Sequence, residues 1–481
     1  MNLALILSTL GILLITFSLA LLPPIFISLL YHDGELWHLS FSLALTFLVG
    51  SALYFSFKKT QQQLRHRDGF IIVAMFWLVL GLTAGIPFLF GHHLDFSDAV
   101  FEAISAMTTT GATVIVGLDD MPKSILFYRQ ELQWLGGIGV IVSAVAILPM
   151  LGIGGMQLYL AETPGPVKDD KLRPRITSTA QTLWIVYGAI TVACAFFYWL
   201  AGMSVFDAVA HSFSTVSTGG FSTHDASMKY FNSPTIEAIS GIFMMLGAMN
   251  FSMHYSVWYH RDLRVYWRNS EVRNFIKIVG LLILITTLTL YFSHKYTHIE
   301  TAFRYAYFEV ISIITSTGFG TDDFSVWPGA LPMLLMLSSI IGGCAGSTAG
   351  GIKVVRVILL IKQGLSEIGR LIHPAQVTYI KLDKQLVSER VKSAVWGFFA
   401  FYVLIFALFV LLLMADGMDM VTAFGAVATC INNMGPGLGE VSSNFVGVSN
   451  EAEWLLSLAM LLGRLELFTM LVLISPAYWR D

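Results

Sequence analysis

Residues Asp98 to Thr113 read Asp-Ala-Val-Phe-Glu-Ala-Ile-Ser-Ala-Met-Thr-Thr-Thr-Gly-Ala-Thr. A short apolar run leads into three hydroxyl side chains and a glycine. The run is too short to cross a bilayer, which takes about 20 residues as a helix. It suits a helix that enters the membrane and turns back. The pattern returns three times. Asp207 to Phe221 reads Asp-Ala-Val-Ala-His-Ser-Phe-Ser-Thr-Val-Ser-Thr-Gly-Gly-Phe. Phe308 to Gly320 reads Phe-Glu-Val-Ile-Ser-Ile-Ile-Thr-Ser-Thr-Gly-Phe-Gly, and Ala423 to Gly437 reads Ala-Phe-Gly-Ala-Val-Ala-Thr-Cys-Ile-Asn-Asn-Met-Gly-Pro-Gly. Each copy lies between long apolar segments. The unit is therefore spanning helix, half-helix, extended turn through glycine, spanning helix, used four times.

Unpaired backbone at membrane depth is tolerated only where it is buried in protein or lines a watery cavity. Glycine reaches φ > 0 freely, so its neighbours' carbonyls can turn toward a central axis. The C-terminal end of a half-helix carries partial negative charge, which suits a cation. Four such turns around one axis would stack carbonyl oxygens in place of an ion's hydration shell. The filter predicted from the pattern comprises Thr109, Thr110 and Gly111, then Ser217, Thr218 and Gly219, then Ser316, Thr317 and Gly318, then Asn433, Met434 and Gly435. Thr110, Thr218 and Thr317, each just before its glycine, could add hydroxyl oxygens; Met434 cannot. Small residues that merely pack helices are the plainer reading. They do not explain four loops of this shape.

The surrounding composition agrees. The chain has 481 residues, of which 56% are hydrophobic and 12% charged, against about 25% charged in soluble domains. The mean hydropathy is +0.71. A net charge of −3 suggests no nucleic-acid partner. Cys194, Cys344 and Cys430 lie far apart and form neither a disulfide framework nor a metal spacing. Ten segments are predicted to span, roughly 4–30, 37–57, 70–90, 133–155, 180–202, 235–259, 274–293, 329–362, 394–414 and 452–475. Met1 to Leu30 lacks a basic flank and a cleavage site, so it reads as the first span and not a removed signal. Basic residues gather after the second, fourth, sixth and eighth spans, at Lys58, Lys59, Arg65 and Arg67, at Lys168, Lys171, Arg173 and Arg175, at Arg261 through Lys277, and at Arg370 through Lys392. By the positive-inside rule both termini are cytoplasmic. The expectation is an all-α polytopic membrane protein of ten spanning helices. Two extra spans fill residues 1–68, and four pore repeats fill 69–178, 179–272, 273–392 and 393–481.

The eighth span is interrupted by Gly342-Gly-Cys-Ala-Gly-Ser-Thr-Ala-Gly-Gly-Ile-Lys353. A run this rich in glycine cannot hold a stable helix. It is no P-loop, because Val354 follows Lys353 where Ser or Thr is required. Arg464 falls inside the tenth span, where a charge is expensive. It reads as a bridge between helices or as a cation set in a permeation path. Glu466, two residues on, does not face it. Glu102 and Glu309 each precede their glycine by nine residues and either attract cations or hold the half-helix. His92, His93, His211, His224 and His254 show no metal-ligand spacing.

Together these residues resemble the superfamily of potassium transporters that includes TrkH, KtrB and the fungal and plant Trk and HKT proteins, most closely its bacterial TrkH branch. The resemblance covers nearly the whole chain, the two extra N-terminal spans included. It implies potassium uptake across the bacterial inner membrane through a fourfold pseudo-symmetric pore made by one polypeptide. It implies no enzymatic step and no cofactor, with K+ as the transported ion at the filter residues. These turns depart from the Thr-Val-Gly-Tyr-Gly of tetrameric channels, sharing one glycine per repeat, and the fourth repeat departs furthest. The family places a gate at the interrupted span, here Gly343, Gly346, Ser347, Thr348, Gly350, Gly351 and Lys353, with Arg464 beside it. It also implies a homodimer and a docked cytosolic ring of nucleotide-binding, TrkA-type subunits. The alternative is a proton- or sodium-coupled symporter. That mechanism favours inverted repeats, whereas these four run in the same direction.

Overall fold

The computed structural model describes residues 3–57, 66–91, 94–142, 172–375, 379–383, 385–465 and 467–479. The basic residues Lys58, Lys59, Arg65, Lys168, Lys171 and Lys384, the pair His92 and His93, Glu466, and the far half of the predicted fourth span lie outside the described residues. Leu3–Tyr31, Leu36–Phe57, Gly69–Gly91, Ala180–Leu200, Ser270–Phe292 and Glu389–Ala415 are long and apolar enough to cross a membrane. They coincide with six predicted spans. The first two cross at backbone contact, since a Cβ on Gly11 would lie 2.7 Å from the carbonyl oxygen of Gly50. Close approach of this kind is the usual use of small residues between membrane helices.

Each repeat has an outer helix, a half-helix and an inner helix. The half-helices are Phe96–Met107, Val205–Val216, Ile299–Ile314 and Met420–Ile431. Two begin with a side-chain cap. Ser204 Oγ accepts the Asp207 N–H at 3.0 Å, and Asp419 Oδ1 accepts those of Val421 and Thr422 at 2.8 and 3.2 Å. Such caps satisfy amides that a helix start leaves unpaired. The C-terminal halves of the half-helices are buried almost throughout.

The inner helices are Lys123–Val142, Pro234–Gly247, Leu331–Ile341 and Asn450–Arg464. The single helix expected over 235–259 is corrected to two, Pro234–Gly247 and Phe251–His260, bent by 98°. Asn250 is the physical cause, because its side chain accepts the Ser252 N–H at 2.8 Å and starts a new helix there. In the third repeat the helix stops at Ile341 and resumes at Val354–Ile372, as the glycine run predicts. In the fourth it ends at Arg464 and resumes at Phe468–Ile474 after Leu467 at φ 30°. Strand structure among the described residues is one small hairpin, in which Lys381–Leu382 pairs antiparallel with Gln385–Leu386.

Candidate functional site

The four half-helices end in one conformation. The N–H groups of Thr110, Gly219 and Thr317 each donate to the carbonyl five residues earlier, on Ser105, Ser214 and Ser312, at 2.8 Å; Met434 donates to Thr429 at 3.0 Å. This is the Schellman closure, which needs a left-handed residue just past the helix. That residue is Thr109, Thr218, Ser316 or Asn433, at φ 54°, 53°, 55° and 51°. None is glycine, and a non-glycine residue held there costs of order 1 kcal/mol. Four identical costs mean that the surrounding packing imposes the shape.

The shared closure fixes the register between repeats, and it corrects the second one. Thr110, Gly219, Thr317 and Met434 are equivalent. The glycines that follow are Gly111, Gly220, Gly318 and Gly435, of which the first three have φ of 83°, 79° and 84°. Gly220, not Gly219, is therefore the counterpart of Gly111. Thr218 matches Thr109, so it does not stand just before the shared glycine. Gly435 does not need positive φ, because Pro436 restrains the residue before it toward extended backbone.

The four turns meet in a closed ring. A Cβ on Gly111 would lie 2.2 Å from Gly219 O, and one on Gly220 would lie 1.9 Å from Thr317 O. One on Gly318 would lie 2.7 Å from Gly435 N, and one on Gly435 would lie 3.0 Å from Gly111 O. Repeat 1 touches 2, 2 touches 3, 3 touches 4, and 4 touches 1, all through backbone. The hydroxyls of Thr110 and Thr317 instead bond Thr108 and Thr315, each at 2.8 Å, and Asn433 Nδ2 donates to Thr110 at 3.0 Å. They brace the turns from behind.

The outgoing strands are tied to their half-helices. Buried Glu102 accepts the Val114 N–H at 3.1 Å and the Thr113 hydroxyl at 2.9 Å, and pairs with buried Arg129 at 2.7 Å. Glu309 accepts Thr321 N–H at 2.7 Å and Asp322 N–H at 3.1 Å. His211, nine residues before Gly220, bonds the Ser222 hydroxyl at 3.0 Å. Of the two readings of these acids, holding the half-helix is the one the bonds describe. The fourth repeat has Ala426 at this place and packs its strand directly, a Cβ on Gly425 lying 2.5 Å from Leu438 N.

Below the ring lies the glycine-rich segment, residues 342–353. Thr348 donates to the carbonyls of Val216 and Gly247 at 3.1 and 3.0 Å and bonds Thr218 at 3.1 Å. Gly350 N–H donates to Ser316 Oγ at 2.6 Å, and a Cβ on Gly350 would lie 1.9 Å from Asn432 O. Arg464 Nη1 donates to Thr348 O at 2.8 Å, and Nη2 reaches Gly136 O at 3.5 Å. The Ser347 hydroxyl donates to Cys344 O and the Lys353 ammonium to Ala349 O. Gly346 accepts Phe251 N–H at 3.1 Å, while Gly343 accepts Val354 N–H at 3.0 Å. The segment thus meets half-helix ends from three repeats, and Arg464 joins it to the first. Glu271, unremarked in the sequence, accepts the amides of Ala345 at 2.8 Å and Val355 at 3.2 Å. Among the described residues no group of three or more His, Cys, Asp or Glu is placed to hold a metal ion.

The family profile described as "TrkH: Cation transport protein" matches residues 40–480. The chain belongs to the TrkH family. It is 50% identical to the "Trk system potassium uptake protein TrkH" of Halomonas elongata, over 100% of both chains. It is 49% identical to the protein of the same name from Escherichia coli, over 98% of both. The fold matches the crystal structure of the potassium transporter TrkH from Vibrio parahaemolyticus with a TM-score of 0.93, 48% identity and full coverage of both chains.

In this TrkH-family chain, His224 joins two repeats. Its Nδ1 bonds Asp119 at 2.5 Å, its Nε2 lies 3.5 Å from Asp207, and its ring stacks on Tyr230. Burial alone would lower its pKa, but the carboxylates of Asp207 and Asp119 outweigh burial and raise it above 6.5. A raised histidine stabilises fully below its unfolded pKa, and that stability is lost as pH climbs through the folded value. The thermal midpoint of the purified protein is therefore expected to fall as pH rises past the ordinary histidine value of about 6.5. His224→Gln should flatten that decline; a decline as steep as in the parent would refute the clasp.

Proposed function

We propose that this TrkH-family protein takes potassium into the bacterial cell through a channel-like pore, with both termini in the cytoplasm. The closed backbone ring of Gly111, Gly220, Gly318 and Gly435 carries the reading. Carbonyl oxygens of these turns, with Thr109, Thr110, Thr218, Gly219, Ser316, Thr317, Asn433 and Met434, stand in for potassium's water shell. The half-helix ends add negative potential below them. An inside-negative membrane potential supplies about 2.3 kcal/mol per charge per 100 mV, so uptake needs no chemical step. The reading is tested with purified protein in liposomes, by rubidium uptake driven by a potassium gradient and competed with potassium or sodium. Equal competition by sodium, or no uptake, would sink it.

The segment 342–353 acts as the gate in this proposal, and Arg464 as a fixed charge beneath the filter. Its bond to Thr348 O supports a shared role. Arg464→Ala is expected to change the uptake rate about tenfold or more, since loss of one charged buried bond is worth roughly 1.5–3 kcal/mol. An unchanged rate with a lowered thermal midpoint would make Arg464 a bridge only. The relatives' name "Trk system" supports a regulatory partner, for which we propose a cytosolic nucleotide-binding ring. Exposed Ile361, Leu365, Ile368 and Ile372 form one apolar stripe on Val354–Ile372, which supports pairing of two copies.

A further inference from the structure

Gly219 leaves a gap where its equivalents carry a side chain. Thr110, Thr317 and Met434 each back their turn with a buried group, whereas repeat 2 has only hydrogen. The space is filled from another repeat. Gln133, fully buried on the inner helix of repeat 1, lies so close that a Cβ on Gly219 would be 2.4 Å from its Cδ. Its Nε2 donates to Gly219 O at 2.7 Å, and its Oε1 accepts the Phe221 N–H at 3.1 Å. One amide thus grips the strand on both sides of Gly220.

The second and fourth inner helices carry an apolar residue at the matching place. Gly136, Gly247 and Gly463 mark one register, because a Cβ on each would lie 1.9, 2.8 and 2.2 Å from the last carbonyl of its half-helix, on Met107, Val216 and Ile431. Three residues earlier stand Gln133, Met244 and Met460. The polar member faces the repeat that lacks a side chain. Gly219 O is also the atom pressed against Gly111 across the ring. With one lone pair engaged by Gln133, this oxygen cannot swing away from, or fully toward, an ion. Its distance from the axis is set by Gln133.

We infer that Gln133 is a selectivity-determining positioning residue, which sets the Gly219 carbonyl and replaces the side chain missing from repeat 2. The inference rests on the filter reading above. Gly219 does not adopt positive φ, so a threonine fits its backbone once Gln133 is cut back. The test is the potassium-over-sodium discrimination of the full-length protein in liposomes. Gln133→Ala should reduce it about tenfold, the size set by losing two buried hydrogen bonds. Gly219→Thr alone should also impair it, by crowding Gln133. The double variant Gln133→Ala with Gly219→Thr should recover most of the discrimination, because it returns to repeat 2 the side chain that Thr110 and Thr317 supply in repeats 1 and 3. Additive losses, or parent-like discrimination in Gln133→Ala, would overturn the inference. Should Gln133→Ala misfold, Gln133→Met fills the volume without either bond and must show the same loss. Misfolding of both would also overturn it, leaving Gln133 a general packing residue. Gly111→Ser serves as the control: if it leaves discrimination intact, the filter reading itself fails, whatever Gln133 does.

Discussion

Gly220→Ala is expected to abolish cation uptake, whereas Gly219→Ala should only reduce it. At position 220 the new methyl would sit 1.9 Å from Thr317 O, a backbone atom of the next repeat. The φ of 79° adds its own strain for any side chain, about 1 kcal/mol or more. Neither can be relieved without opening the ring. At position 219 the methyl meets the end of the Gln133 side chain, 2.4 Å from Cδ, and a side chain can yield where backbone cannot. Rubidium uptake by the two variants in liposomes should differ by about tenfold or more. Greater damage at Gly219 would return the shared glycine to the register the Ser-Thr-Gly pattern suggests, and would break the equivalence of the four Schellman closures.

That register also marks how far the sequence could be read. The repeat itself was legible, because half-helices of similar length ending in small polar residues and glycine follow from the physics of backbone at membrane depth. The position of the second glycine was ambiguous, since Ser217-Thr218 is followed by two glycines in a row, Gly219 and Gly220. Counting from the Asp-Ala-Val that opens two copies decides it. Asp98 precedes Gly111 by thirteen residues, and Asp207 precedes Gly220 by the same number. In that register His211 falls in line with Glu102 and Glu309, and its bond to Ser222 becomes expected. The interruption at Gly342 was legible from glycine content, but the 98° break at Gly247 was not. Its signal is a lone Asn250 in an apolar run, ordinary until one sees that the glycine-rich segment needs somewhere to sit. Contacts such as Glu271 with Ala345, or Gln133 with Gly219, join residues far apart in the chain and leave no local trace.

Excising residues 344–351 should raise the uptake rate about tenfold, within the range of a typical gating free energy. The base of the segment is already closed. Ile352 N–H donates to Ile340 O at 2.9 Å and Lys353 N–H to Ile341 O at 3.0 Å, so the flanking helices stand together without it. Its removal frees the carbonyls of Val216 and Gly247 from Thr348 and releases Ser316 from Gly350. Val216 and Ser316 lie at half-helix ends, where a departing cation would be drawn. If the segment were packing material, the excised protein would lose both its thermal midpoint and its transport. A point change separates the cases further. Glu271 holds an amide on either flank of the segment's C-terminal half, at Ala345 and Val355. Glu271→Gln keeps the shape but weakens both bonds, since a charged acceptor binds an amide roughly twice as strongly as a neutral one. It should raise uptake in the same direction by a smaller factor. A faster excised protein with an unchanged Glu271→Gln would keep the gate and discard the latch. A slower but well-folded excised protein would discard both.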